Sequence, residues 1–289
     1  MSPGSPTTYP YDPTVPDDAD ADATDPIDTD TDTTTAGWAE PTWGEVDPGA
    51  FSRIVVVSPH FDDAAMGAGH LLGSYDDTTV ITVLGGRPPA YPAEPTEWDA
   101  LGGFVAGDDI VAVRRAEDVA AMAVLESGYD WLDFSDNQYL DPEDRPTPAD
   151  VAPTLAAAID ELDPTSVFFP MGLANPDHDM VHDACLLVRA GQPEREWFCY
   201  EDGGYKHLPG LLAWRVAKML RSRPWPTPAI VPHVPDEERK RRAIWCYTSQ
   251  IEPLKREHAL AARMAGRVPE QFWRLAAPPL GWELLADFI

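Results

Sequence analysis

From Arg53 onward the sequence alternates short apolar runs, rich in β-branched residues, with longer segments whose apolar residues recur at helical spacing. A strand covered by helices on both faces has no polar side to present, so it reads as one continuous apolar run. The alternation therefore points to an α/β fold of Rossmann-like, three-layer type, with a mostly parallel sheet between two helical layers. Ile54-Val55-Val56-Val57 is the expected first strand, followed by a helix over 64–72. Further strands are expected over 80–84, 131–134, 166–171 and 197–200, and helices over 109–125, 149–162, 176–190 and 236–250. Residues 85–108, rich in Gly and Pro, read as a long loop of the kind that overhangs a site.

The first fifty residues do not share this pattern. They contain ten Asp and two Glu but no Lys or Arg. So little apolar surface cannot offset the entropy of ordering, and residues 1–50 are expected to form a disordered acidic tail before one domain over 51–289. The net charge of −28 falls to −16 without those twelve carboxylates, which still leaves an acidic body. Such a field repels phosphate backbones and anionic lipids, so neither nucleic acid nor membrane is an expected partner.

The three cysteines, Cys185, Cys199 and Cys246, lie in apolar surroundings without CxxC spacing, as buried free thiols in a reducing compartment do. With neither a secretion signal nor a membrane-spanning run in the sequence, the expected location is the cytoplasm. Nothing in the sequence sets an oligomeric state.

Open parallel sheets bind ligands beyond the carboxyl ends of their strands. After the first strand stands Ser58-Pro59-His60-Phe61-Asp62-Asp63, an imidazole and two carboxylates within four residues. Consecutive side chains point different ways, so one carboxylate suits a metal ligand and the other a base. A carboxylate here would also serve as an ordinary N-cap for the helix that follows. After the strand over 166–171 stands Asn175-Pro176-Asp177-His178, with His182 four residues on. Asn at the N-cap and Pro at the first helical position start a helix well, which puts His178 in its first turn. One imidazole of the pair His178 and His182, joined to His60 and Asp63, would make a two-His, one-carboxylate site with open positions for water.

Ser58-Pro59-His60-Phe61-Asp62-Asp63-Ala64-Ala65-Met66-Gly67 resembles the signature of the PIG-L/LmbE family of zinc-dependent N-deacetylases. Five further segments resemble that family in order: Arg114 to Asp118, Trp131 to Phe134, Pro170 to His178, Tyr200-Glu201-Asp202 with Tyr205, and Lys240 to Gln250. The resemblance implies that His60, Asp63 and His178 hold zinc, or another divalent cation, and that Asp62 is the general base. It also implies that Arg114 and Asp133 contact the substrate, an N-acylated amino sugar or sugar conjugate. Read from residues alone, Arg114 and Glu117 are equally an ordinary surface ion pair.

The chain departs from the family at Asn175. The family's second metal segment usually reads H-x-D-H, and its first His is thought to steady the oxyanion or protonate the leaving amine. An amide donates a hydrogen bond but releases no proton at neutral pH. Asp62 could return the proton, His182 or His207 could substitute, or the scaffold could bind sugar without catalysis. An amidase for a bulkier acyl conjugate is the remaining alternative.

Overall fold

Apolar, β-branched segments become strands, and the longer periodic segments between them become helices. The computed structural model describes residues 46–221, 225–258 and 269–276. In chain order its elements are β1 (Ile54–Ser58), α1 (Asp63–Leu72), β2 (Thr78–Thr82), α2 (Glu97–Leu101), α3 (Ile110–Leu125), β3 (Gly128–Trp131), α4 (Pro148–Leu162), β4 (Ser166–Pro170), α5 (Pro176–Gly191), β5 (Glu196–Tyr200), α6 (Leu211–Arg221), β6 (Trp225–Ala229), α7 (Glu237–Ile244), α8 (Thr248–His258) and β7 (Phe272–Ala276). The expected acidic tail lies outside the described residues except for 46–50. There Val46 packs on the core and Pro48–Phe51 forms a 3-10 helix, so ordered structure begins before residue 51.

The strands form one sheet in the order β3-β2-β1-β4-β5-β7-β6. From β3 to β5 every pairing is parallel, whereas β7 runs antiparallel to both of its neighbours. Strand order reverses between β1 and β4, since β2 and β3 continue to one side and β5 to the other. That is the topological switch point, where a crevice opens beyond the carboxyl ends of the strands.

The apolar run of β1 divides between two cores. Ile54 and Val56 pack with Leu71, Leu72, Ala121, Met122 and Ile244 of α1, α3 and α7. Val55 and Val57 pack with Leu155, Ile159, Val181 and Val188 of α4 and α5 on the other face. Each fully buried aliphatic side chain contributes about 1.5–3 kcal/mol, so β1 is anchored from both sides. α1 also needs Gly67, where a Cβ would collide with the ring of Tyr200 in β5.

Three expectations are corrected. β3 lies earlier than 131–134, because Trp131 pairs with Thr82, the last residue of β2. Beyond that register only isolated bridges continue, at Asp133 and Ser135. The helix expected over 236–250 is two helices, broken where the Tyr247 hydroxyl reaches Asp118 at 2.8 Å and Glu117 takes the amide of Ser249 at 2.7 Å. Finally, residues 85–108 carry α2, started by Thr96, whose hydroxyl accepts from the Asp99 amide.

Candidate metal centre

At the end of β1 the Ser58 hydroxyl donates to the His60 carbonyl at 2.5 Å and accepts from the Ala64 amide at 3.0 Å. Ser58 thus draws the turn tight and satisfies an orphan donor at the start of α1. Asp62 occupies the N-cap position yet makes no capping hydrogen bond. Asp63 turns inward, where its Oδ2 accepts from the His60 amide at 3.0 Å. Neither carboxylate is spent as a conventional cap.

At the end of β4 the chain passes through Gly172 at φ +77° and Ala174 at φ +59° before α5. A left-handed alanine costs about 1–2 kcal/mol, strain of a sort that collects at functional sites. The Asn175 side chain then accepts from the Asp177 amide at 2.8 Å and caps α5, with Pro176 following. His178 consequently faces the crevice in the first turn. His182 lies one turn on, wholly buried behind the strand, with Nδ1 2.8 Å from the Pro170 carbonyl.

The two segments converge. Ligand atoms of His60, Asp63 and His178 all lie within 4.8 Å of one another. Asp63 Oδ2 stands 3.1 Å from His60 Nδ1 and 3.2 Å from His178 Nε2. Carboxylates also back both imidazoles from outside: Asp177 Oδ2 is 3.1 Å from His60 Nε2, and Asp202 Oδ1 is 2.5 Å from His178 Nδ1. Outer carboxylates of this kind fix the orientation of metal-binding histidines, so the donor set fits a divalent cation.

The electrostatics agree with the geometry. Burial opposes charging His178, but Asp63 and Asp202 outweigh it and hold its pKa up at about 9. Burial likewise works against an ionised Asp63, and the two imidazoles overcome it and pull its pKa far below the usual range. Positive charge is therefore strongly favoured at this spot, and a cation can replace the protons that supply it. Asp62 is different: burial, then the neighbouring Asp63, pushes its pKa up to about 7, where a carboxylate is a useful base at neutral pH.

A cavity of about 260 Å³ lies over the centre, lined by His60, Asp62, Asp63, Asn175 and His178 at its floor. Its lining also includes the polar side chains of Arg114, Asp136, Gln138 and Tyr139 and the apolar ones of Met66, Trp98, Val111 and Leu254. Arg114 is buried and donates to Asp99 at 2.6 Å, so loop 85–108 does reach the site. Its surface ion pair with Glu117 does not form. Glu117 is buried and binds Thr248 and Ser249 at the start of α8.

Asp133 is exposed and does not line the cavity, whereas Asp136, three residues on, does. Sequence reading missed Asp99, Asp136 and Trp98. Only their place near a Gly/Pro-rich loop or a strand end pointed to them. Asp136 also belongs to a second group, with His60 and Asp177, whose ligand atoms lie within 4.8 Å of one another.

The fold and the site define a parallel-sheet α/β protein with two imidazoles and a carboxylate gathered beyond the strand ends at its switch point, a candidate site for a divalent metal. A model of the PIG-L family, described as GlcNAc-PI de-N-acetylase, matches residues 55–188. Over these residues the chain is similar to the PIG-L/LmbE-like deacetylase family. Among solved structures, a triple mutant of the deacetylase of the teicoplanin biosynthetic pathway is 26% identical, covering 79% of this chain and 100% of its own, with a TM-score of 0.61. The A40926 pseudoaglycone deacetylase is 25% identical over 78% of this chain and 99% of its own, with a TM-score of 0.56. No curated protein matches the chain. Among the described residues no helix is long and apolar enough to cross a membrane.

Proposed function

We propose that this chain is a zinc-dependent hydrolase that removes an N-acyl group from an amino sugar carried on a larger conjugate. The observation that supports this most directly is the convergence of His60, Asp63 and His178 beside a buried, unspent Asp62. His60, Asp63 and His178 would hold the zinc, which would supply Lewis acidity to the attacking water and to the amide carbonyl. Asp62 takes the proton of the attacking water and returns it to the leaving nitrogen. The acyl C–N bond breaks, a C–O bond forms, and an amine and a carboxylate depart.

Arg114, held by Asp99, and Asp136 line the cavity and offer a donor and an acceptor to sugar hydroxyls. The apolar lining residues Met66, Trp98, Val111 and Leu254 suit an acyl chain or aglycone. The similar solved structures are a deacetylase of the teicoplanin biosynthetic pathway and a deacetylase of the A40926 pseudoaglycone, which supports a conjugate as the substrate class.

Metal analysis of the purified protein tests this reading, together with acid release from N-acetylglucosaminides and from acylated glycopeptide conjugates before and after chelation. Zinc near one equivalent and chelator-sensitive turnover are expected. No metal and no product on either substrate set would sink it. Asn175 favours one rival, sugar binding without hydrolysis, which predicts ligand binding that survives Asp62→Ala and no product at any enzyme concentration.

A further inference from the structure

We infer that the cavity takes an acyl chain longer than acetyl, and that Trp98 sets the preference for it. This rests on the hydrolase reading above and narrows its substrate class. An acetyl group offers a single methyl, whereas Phe61, Met66, Trp98, Val111 and Leu254 all line the cavity. These five side chains are not scattered. Phe61, Val111 and Leu254 are buried members of the core on one face of the sheet, and Met66 and Trp98 pack against it. The cavity is where that core reaches the site, and one methyl cannot cover it. Each methylene laid on such a surface is worth about four-fold in affinity.

The sequence around the base decides which end of the substrate lies there. Phe61 directly precedes Asp62, and Met66 follows it by one helical turn, with its amide donating to the Asp62 carbonyl at 3.0 Å. Side chains four apart on a helix are neighbours on one face. Apolar surface thus begins at the base, beside the carbonyl that water attacks. The chain attached to that carbonyl is the acyl group. Arg114 and Asp136, the charged lining residues away from the metal ligands, remain for the sugar.

Trp98 is held in one orientation. Its indole nitrogen donates to Gln250 Oε1 at 2.8 Å, Gln250 Nε2 donates to Ser249 Oγ at 2.9 Å, and Ser249 Oγ donates to the buried Glu117 at 2.7 Å. The short helix that carries Trp98 is fixed elsewhere too. Asp99 takes Arg114 at 2.6 Å, and a Cβ at Gly102 would stand 2.5 Å from the Ser249 carbonyl oxygen. An aromatic surface locked in this way is preformed, so an acyl chain gains contact without the cost of ordering it. Hydrolysis then adds one water across the amide and releases the free amine and a carboxylic acid longer than acetate.

The test follows amine release by wild type, Trp98→Ala and Met66→Ala from two series of compounds. One is glucosamine carrying N-acetyl, N-butanoyl, N-hexanoyl or N-octanoyl groups, and the other is N-acetylglucosamine carrying methyl, hexyl or octyl aglycones. Calorimetric binding of the same compounds to zinc-loaded Asp62→Asn runs beside it. In the wild type kcat/KM should rise about four-fold per acyl methylene up to hexanoyl. Trp98→Ala should raise KM for the hexanoyl compound about ten-fold or more with kcat within about three-fold, and leave the acetyl compound within about two-fold. Met66→Ala should shift the preference in the same direction.

No gain in kcat/KM or affinity along the acyl series overturns the inference. A gain along the aglycone series alone gives the apolar surface to the aglycone and overturns it as well. Equal losses on the acetyl and hexanoyl compounds in Trp98→Ala mark a merely structural role and also overturn it. If Trp98→Ala fails to fold, the same comparison in Met66→Ala decides. Absence of turnover with every compound is a separate failure, that of the hydrolase reading itself. Binding to Asp62→Asn then decides alone: affinity that grows with acyl length upholds the subsite, and affinity that does not overturns it.

Discussion

Asp202 holds the Nδ1 of His178 at 2.5 Å while the Nε2 of the same ring faces Asp63 at 3.2 Å. The imidazole is thus pinned from behind with its second nitrogen presented to the centre. Asp202 is itself 1% exposed, and its other oxygen accepts from the Leu173 amide at 3.2 Å, so the carboxylate cannot swing away. Asp202→Asn replaces a charged acceptor with an amide and should weaken zinc affinity about 10- to 100-fold. Competition with a fluorescent chelator measures this, and unchanged affinity would remove Asp202 from the account of the site.

Asp136 lines the cavity and Asp133 does not, so the two aspartates should separate in kinetics. Asp136→Ala is expected to raise KM about ten-fold, equivalent to one lost polar contact of about 1.4 kcal/mol. Asp133→Ala should stay within about two-fold of wild type, because surface substitutions seldom matter more. Steady-state kinetics of both variants on one substrate decide the point, and the reverse ranking would restore Asp133 to the site.

Glu117 accepts three hydrogen bonds, from the Thr248 hydroxyl at 2.5 Å and from the amide and hydroxyl of Ser249 at 2.7 Å each. The buried carboxylate ties α3 to the start of α8. Glu117→Ala orphans all three donors and should cost about 3 kcal/mol of stability. The midpoint of urea unfolding measures it. A loss below about 0.5 kcal/mol would mean that the clamp does not hold the helix.

His182 supplies a pH dependence of stability. Burial first, then Arg215, lowers its pKa to about 3. A histidine that is harder to protonate when folded contributes stability that is fully present above about pH 6.5, the unfolded value, and is lost as pH falls toward about 3. Between about pH 7.5 and 5.5 this one group should cost the wild type about 1.4 kcal/mol. His182→Gln keeps a donor for the Pro170 carbonyl and should lose that much less over the same interval. Parallel slopes of unfolding free energy against pH for the two proteins would contradict this.

By itself the sequence determined the elements whose cause is local. Ile54 to Val57, short, apolar and β-branched, reads as a strand buried on both faces, and Asn175-Pro176 starts a helix because Asn caps it and Pro needs no donor at its first position. The order of carboxylates and imidazoles after β1 and β4 likewise marked the metal-binding candidates, since strand ends are where such sheets bind ligands. β6 and β7 were not legible, because Trp225 to Ala229 is rich in proline and pairs only with an antiparallel partner far along the chain.

Tertiary structure alone decided which candidates meet. His178 and His182 share a helix face, yet only His178 reaches the crevice, because β4 covers the turn that carries His182. Arg114 and Glu117 have the spacing of a surface pair, yet burial leaves each to satisfy its charge with a distant partner, Asp99 and Ser249. Tyr205 and Asn175, thirty residues apart, meet only where β4 and β5 end side by side. Spacing in a sequence fixes which face of an element a side chain occupies, but the packing of neighbouring elements decides whether that face looks onto solvent, core or site.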